Sequence, residues 1–282
     1  MFNLIFDVIK YPFLKRAFLA GVLISICVAI LGVSLVLKKY SMIGDGLSHV
    51  GFSAFSISSA MNWAPFLISI PLVVVAAILL LLLRENSKIK SDALIGLVSN
   101  GCLSIGIILI SITKGINSEV LNYMFGSILA LNNSDLILCA IISAVTIFVF
   151  VFSYNKIFSI TFDEDFTKAV GVNVRLYNIA IAVLTALMIV VGMKMVGALL
   201  ISSLIIFPGL SVSMIFKSYK KIVIFAAIDS VFCFVVGFLM SYVFLVPTGA
   251  FVVFVNLIMF IICFLIKKIK DLKFFKVKFY GL

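Results

Sequence analysis

Apolar runs of spanning length recur along the chain, near residues 17–37, 64–83, 93–112, 135–153, 177–193, 195–215, 222–244 and 249–266. A helix crosses the hydrocarbon layer in about 20 residues, so each run predicts one membrane-spanning helix. A ninth stretch, 42–60, has the same length but carries Asp45, Ser48, His49, Ser53, Ser56, Ser58 and Ser59. Uncompensated polar groups are costly in hydrocarbon, so this helix has to be shielded from lipid by its neighbours and reads as a lining helix. The pattern predicts an all-α polytopic membrane protein with eight or nine spanning helices in one domain over 1–282.

The connecting segments add detail. Residues 1–16 mix Phe, Leu and Ile with Asp7, Lys10, Pro12, Lys15 and Arg16. No basic stretch followed by a small-residue cleavage site is present, so we expect an uncleaved segment lying at the interface. Segment 113–134 holds an apolar stretch too short to cross and predicts a re-entrant or interfacial helix. Segment 154–176 is the most charged loop. There Thr161 predicts the cap of a short helix with Asp163, Glu164 and Asp165 in its first turn and Gly171 at its end. Gly192 to Ala198 predicts a tight turn around Lys194, Pro208-Gly209 a helix break or, equally, a kink alone, and Pro247-Thr248-Gly249 a helix start, making Gly197, Pro208 and Pro247 candidate structural hinges. Residues 267–282 form a basic tail.

Composition agrees with the pattern: 64% of residues are apolar and 12% charged, with a mean hydropathy of +1.34. Soluble domains average about half apolar and a quarter charged, so a soluble enzyme, a disordered chain and a fibrous repeat are excluded. The net charge of +11 is a matter of orientation. With nine helices alternating from an outside N-terminus, all but Lys10, Lys15, Arg16, Lys114 and Lys194 of the 22 basic residues fall on the inner side, as the positive-inside rule requires. Eight helices with an inside N-terminus would bring Lys10, Lys15 and Arg16 inside as well. The charge is accounted for by topology and anionic lipid rather than nucleic acid. The five cysteines stand singly in apolar runs and read as small core residues.

The sharpest local feature is Gly44-Asp45-Gly46-Leu47-Ser48-His49. Four residues apart on a helix, Asp45 and His49 share a face and can present a carboxylate oxygen and an imidazole nitrogen to one point, a pairing suited to zinc or manganese. The plainer reading is a hydrogen-bonded pair fastening two helices. His49 is the only histidine, and an ionisable residue in a spanning segment marks function by default, which favours the metal. Two ligands make a weak site, suited to transit. Asp229 is a second intramembrane acid, either a pathway carboxylate or a helix contact through Ser230, Asn256 or Asn178. Asn100 is a further pathway candidate, or an interhelical hydrogen-bonding group. No phosphate-cradling G-x-x-x-x-G-K-[ST], HExxH or GxSxG occurs, so no ATP site, and no hydrolytic one of these types, is expected in this chain.

Six ordered stretches, VLKKYSMIGDGLSHVGFSAF, KSDALIGLVSNGCLSIGIILIS, SEVLNYMFGSILALNNSDL, TFDEDFTKAVGVNV, MKMVGALLISSLIIFPG and PTGAFVVFVNLIMFIICFLIKK, resemble the membrane permease of the zinc/manganese class of bacterial ABC importers. The resemblance runs from about Arg16 to Lys268. It implies a type II ABC importer permease fold, a homodimeric channel in the bacterial cytoplasmic (inner) membrane with a cytosolic C-terminus, two separate ABC ATPase subunits that hold the ATP, and an extracytoplasmic metal-binding protein. No permanent cofactor is implied; Zn2+ or Mn2+ is the cargo. The family's G-D-x-L-[AS]-H motif falls on Gly44 to His49, which carries metal contact to Asp45 and His49. Its ATPase-coupling helix falls on Phe162, Asp163, Glu164, Asp165, Ala169, Gly171 and Val172. The pattern MKxVGALLI at Met193 to Ile201 is nearer to zinc-type members, whereas Asn100 stands where those members can carry His, which moves the balance toward manganese. Pro208-Gly209-Leu210 departs from the family's P-A-A.

Other functions remain open at this point. An ABC permease for a chelate such as a siderophore, haem or cobalamin would need a wide cavity without convergent ligands. A gradient-driven transporter would need an inverted repeat and a chain of acids, and only Asp45 and Asp229 are available. An intramembrane metalloenzyme would need more ligands than two.

Overall fold

The computed structural model describes residues 11–86, 91–113, 124, 126 and 132–280. Among them nine long helices carry the fold: α1 (Pro12–Leu37), α2 (Met42–Ala60), α3 (Pro65–Asn86), α4 (Ser91–Thr113), α5 (Asn133–Phe152), α8 (Val174–Val196), α9 (Ala198–Ser213), α10 (Tyr219–Phe244) and α11 (Thr248–Tyr280). Two short helices, α6 (Tyr154–Phe162) and α7 (Glu164–Ala169), join α5 to α8. Among the described residues seven helices are long and apolar enough to span a bilayer; α9 is shorter, and α2 is the polar exception. The expected interfacial segment falls largely, and the expected re-entrant segment almost wholly, outside the described residues.

Burial sorts the bundle. In α1 and α8, 72% of the spanning window is buried, against 22–28% in α3, α4, α5 and α11, so α1 and α8 form the centre. α2, too polar for lipid, is enclosed by α3, α4, α8 and α9. Glycine allows the closest approach: a Cβ on Gly32 of α1 would run into the carbonyl of Ile205 on α9, and one on Gly44 of α2 would lie 2.6 Å from the Ile205 side chain. Three helices therefore meet around one fully buried residue.

The two ends of the bundle differ in charge. One end gathers Lys38, Lys39, Lys156, Lys168, Arg175, Lys217, Lys220 and Lys221 at the helix termini of α1, α6 to α8 and α10. At the other, Lys194 in the last turn of α8 donates to both carboxylate oxygens of Asp135, each at 2.8 Å, and lies 4.8 Å from the centre of the Phe66 ring. Asp135 is itself buried and closes a capping box with Asn132 at the start of α5, while Arg16 donates to Asn133 at 2.9 Å. The expected turn around Lys194 is a single residue: Gly197, at φ +87°, ends α8 and begins α9 at once, and Lys194 belongs to the helix.

Two local expectations are corrected. Pro208 does not break α9, which continues to Ser213; the backbone packs on α1, where Gly209 sits 3.4 Å from Val33, and neighbouring helices hold the turn that has lost one hydrogen bond. Thr161 does not cap the loop helix: its hydroxyl donates back to Ile157 within α6, and the cap of α7 is Asp163, which accepts from the Phe166 backbone N–H at 2.9 Å. Pro247 does precede the start of α11 at Thr248.

Two measurements follow from this packing. Gly32→Val should lower stability by about 1–3 kcal/mol through overpacking, seen as reduced melting temperature in detergent, whereas Gly96→Ala, which meets nothing within 4 Å, should leave it unchanged or slightly raised. Lys194→Met should destabilise by about 3 kcal/mol by stranding a buried carboxylate, and Asp135→Asn in the same chain should recover part of the loss.

Candidate metal-transit site and docking loop

Asp45 lies in the first turn of α2, where the orphan N–H groups and positive end of the helix favour a carboxylate. One turn on, the His49 Nε2 is 3.7 Å from Asp45 Oδ2. That is too long for a hydrogen bond, yet with both ligand bonds near 2.1 Å it corresponds to an angle of about 120° at a shared ion. The two side chains are not consumed by each other. Both are partly open, with 25% of the His49 and 39% of the Asp45 side chain accessible.

The cleft they face is also lined by Ser48, Phe52, Leu103 of α4, Met124, and Ala198, Leu199 and Ser202 of α9. The Ser48 and Ser202 hydroxyls donate to the Gly44 and Leu199 carbonyls, which leaves their oxygens as weak acceptors only. The remaining wall is apolar. Among the described residues no group of three or more His, Cys, Asp or Glu converges, so the pair is the strong donor set that the described lining supplies. Depth follows from packing. Gly44 and Gly32 share Ile205 as a neighbour; since α2 runs back from the basic end, His49 lies about 15 Å from the level of Ala17, near mid-bundle by helix rise.

The other pathway candidates are elsewhere. Asn100 is exposed on α4 outside the lining of this cleft. Asp229 is buried in α10, where Oδ1 receives a weak contact from the Cys233 thiol at 3.9 Å and Oδ2 has no partner. Neither Ser230, which donates to the Ser25 carbonyl, nor Asn256, which donates to the Val252 carbonyl, bonds it. Asn178 sits at the basic end of α8 with other partners.

Those partners belong to the loop. α6 is anchored by Tyr154, Phe158 and Phe162 packing on Tyr219, whose hydroxyl is 2.9 Å from that of Ser34 in α1. From there α7 projects outward. Asp165 is 98% exposed; Phe162, Phe166 and Val170, four residues apart, are large exposed apolar side chains; Ala169 and Gly171 are exposed and Val172 half-exposed. Phe166 and Val170 extend the candidate set, and their four-residue spacing with Phe162 is the sequence signal that marks them. Glu164 points the other way: Lys38 Nζ donates to its Oε1 at 2.7 Å and to the Asn178 Oδ1 at 2.6 Å, and Asn178 Nδ2 donates to Glu164 at 3.2 Å. Burial works to raise the Glu164 carboxyl, but the hydrogen bond and charge of Lys38, helped by Asn178, outweigh it and hold the group below the usual carboxylate range. A depressed folded-state pKa adds stability that is complete above the unfolded value and disappears as pH falls through the folded one. Stability should therefore show no Glu164 contribution to its pH dependence between about pH 6 and 8, and Glu164→Gln should remove part of the stability loss seen in acid; thermal melts of both chains across pH check this.

The model of the ABC 3 transport family matches residues 10–267. The chain is 33% identical to the high-affinity zinc uptake system membrane protein ZnuB of Buchnera aphidicola, over 90% of this chain and 94% of that one. It is 28% identical to the manganese transport system membrane protein MntC of Listeria monocytogenes, over 95% of each. The solved structure of PsaBC from Streptococcus pneumoniae in complex with Fab aligns with a TM-score of 0.83 at 28% identity, covering 93% of this chain and 94% of that one.

Proposed function

The chain belongs to the ABC 3 transport family and is a permease of the metal-ion ABC importer class, and from that premise we propose that it conducts a bare divalent cation, zinc ahead of manganese, into the cytoplasm between two copies of itself. The observation that carries this reading is the Asp45–His49 pair opening on a mid-bundle cleft. One hard oxygen and one imidazole suit either ion, and open positions for water keep the affinity low enough for release. The cleft of one copy has free space of about 20 Å³, room for one water-sized particle. The zinc preference is supported by the MKxVGALLI pattern and by the relative named for zinc; Asn100 and the relative named for manganese keep the second ion in contention.

In the same reading the basic end is cytosolic, as the positive-inside rule requires, and α7 is the docking element for separate ATPase subunits. Phe162, Phe166 and Val170 offer an apolar knob ringed by Asp163, Asp165 and Lys168. ATP-driven movement of the docked subunits rocks the helices between outward and inward opening. A metal-binding protein outside the membrane supplies the ion.

Asp45→Ala and His49→Ala should each cut uptake of radiolabelled zinc at least tenfold in cells lacking other importers, with the membrane level of the protein and its ATPase association unchanged. Competition by excess manganese separates the two ions: a zinc permease loses little zinc uptake at tenfold excess manganese, and a manganese permease loses most of it. Full uptake of every divalent cation by the Asp45→Ala, His49→Ala double variant contradicts the proposal.

A further inference from the structure

Glu164 is the one acidic side chain of α7 that turns into the bundle, and its partner stands at a consequential position. Lys38 ends α1. The Tyr40 N–H donates to the Leu35 carbonyl at 2.7 Å and the Tyr40 carbonyl accepts from Ile43 at 3.0 Å, so residues 38–43 form one hydrogen-bonded turn that leads directly into α2. Asp45 follows two residues later. The Lys38 side chain is 5% exposed, held by Glu164, Asn178 and the Tyr40 ring at 5.5 Å. Beneath it a cavity of about 20 Å³ is bounded by Leu35, Tyr40, Ile43 and Leu81, leaving the turn some room to shift.

We infer that Lys38 and Glu164 are positioning residues, an ion-paired strut that carries displacement of α7 into the turn opening α2 and so to the Asp45–His49 pair. The inference rests on α7 being the docking element and on Asp45 and His49 contacting the cargo. It reassigns Glu164 from the ATPase-facing surface to an internal link. Glu164 is the carboxylate of α7 that meets this nearly buried ammonium; Asp163 is a helix cap and Asp165 is fully exposed. Removing one partner of such a pair weakens what holds the other, while exchanging both charges keeps opposite signs facing each other.

The test uses the complete complex of permease, ATPase and binding protein in proteoliposomes, with zinc(II) and manganese(II) chloride as cargo, and reads cations imported per ATP hydrolysed. Lys38→Glu and Glu164→Lys should each lower that ratio at least fivefold while the ATPase still co-purifies and still hydrolyses ATP; the double exchange should return it to within twofold of the parent. Glu164→Gln, nearly isosteric, covers the case in which a reversed charge prevents folding, and should lower the ratio two- to fivefold. The strut is overturned by a ratio within twofold of the parent for Glu164→Gln and either reversal, or by a double exchange that assembles and stays as low as the single variants. Phe166→Asp separates this from failure of the underlying reading. If it releases the ATPase while the Lys38 and Glu164 variants couple normally, the strut alone is wrong; if the ATPase remains bound, the docking assignment fails and the strut fails with it.

Discussion

Hydrocarbon offers Asp45, His49 and the serines of α2 nothing to bond to, and much of the bundle can be understood as the response. α2 can exist at membrane depth only inside a ring of other helices, and α3, α4, α8 and α9 provide it. Its close fit requires Gly44 against Ile205, which in turn requires Gly32 on α1. Enclosure is incomplete on one side, and that is where the carboxylate and imidazole stay partly open. A shielded polar helix with one open flank is what the proposed pathway wall requires.

The same packing shows what holds the central helices in place. α8 is gripped at both ends, by Asp135 at Lys194 and by Lys38 at Asn178. It is joined to α9 through one residue, Gly197, whose positive φ favours glycine. α9 lines the cleft through Ala198, Leu199 and Ser202. Because α9 also fits closely on α1 at Gly32 and Gly209, these helices are packed to move together rather than singly.

The spanning helices were legible in the sequence because apolar runs of fixed length have one stable form in lipid. The Asp45–His49 pair was legible because helical spacing alone brings the two side chains to one face. The loop was legible in outline but not in detail. Asp163 rather than Thr161 caps α7, because the chain leaves α6 at Asp163 with extended backbone angles, φ −148° and ψ 96°, a geometry no spacing rule reveals. Glu164 looked like its exposed neighbours, since its partner Lys38 is 126 residues away and only tertiary packing unites them. Asn178 bonds Lys38 and Glu164 rather than Asp229 for the same reason: sequence shows which groups need bonds, and the fold decides who supplies them.

The central claim is that Asp45 and His49 contact the ion in the membrane, and metal-edge X-ray absorption on the intact transporter, held with zinc in the membrane pathway and the binding protein removed, tests it most directly. The account predicts a first shell of one imidazole nitrogen and light oxygen scatterers, with the imidazole signature lost in the His49→Ala chain. A sulfur-dominated shell, or an identical spectrum from a chain with both side chains replaced by alanine, would contradict it.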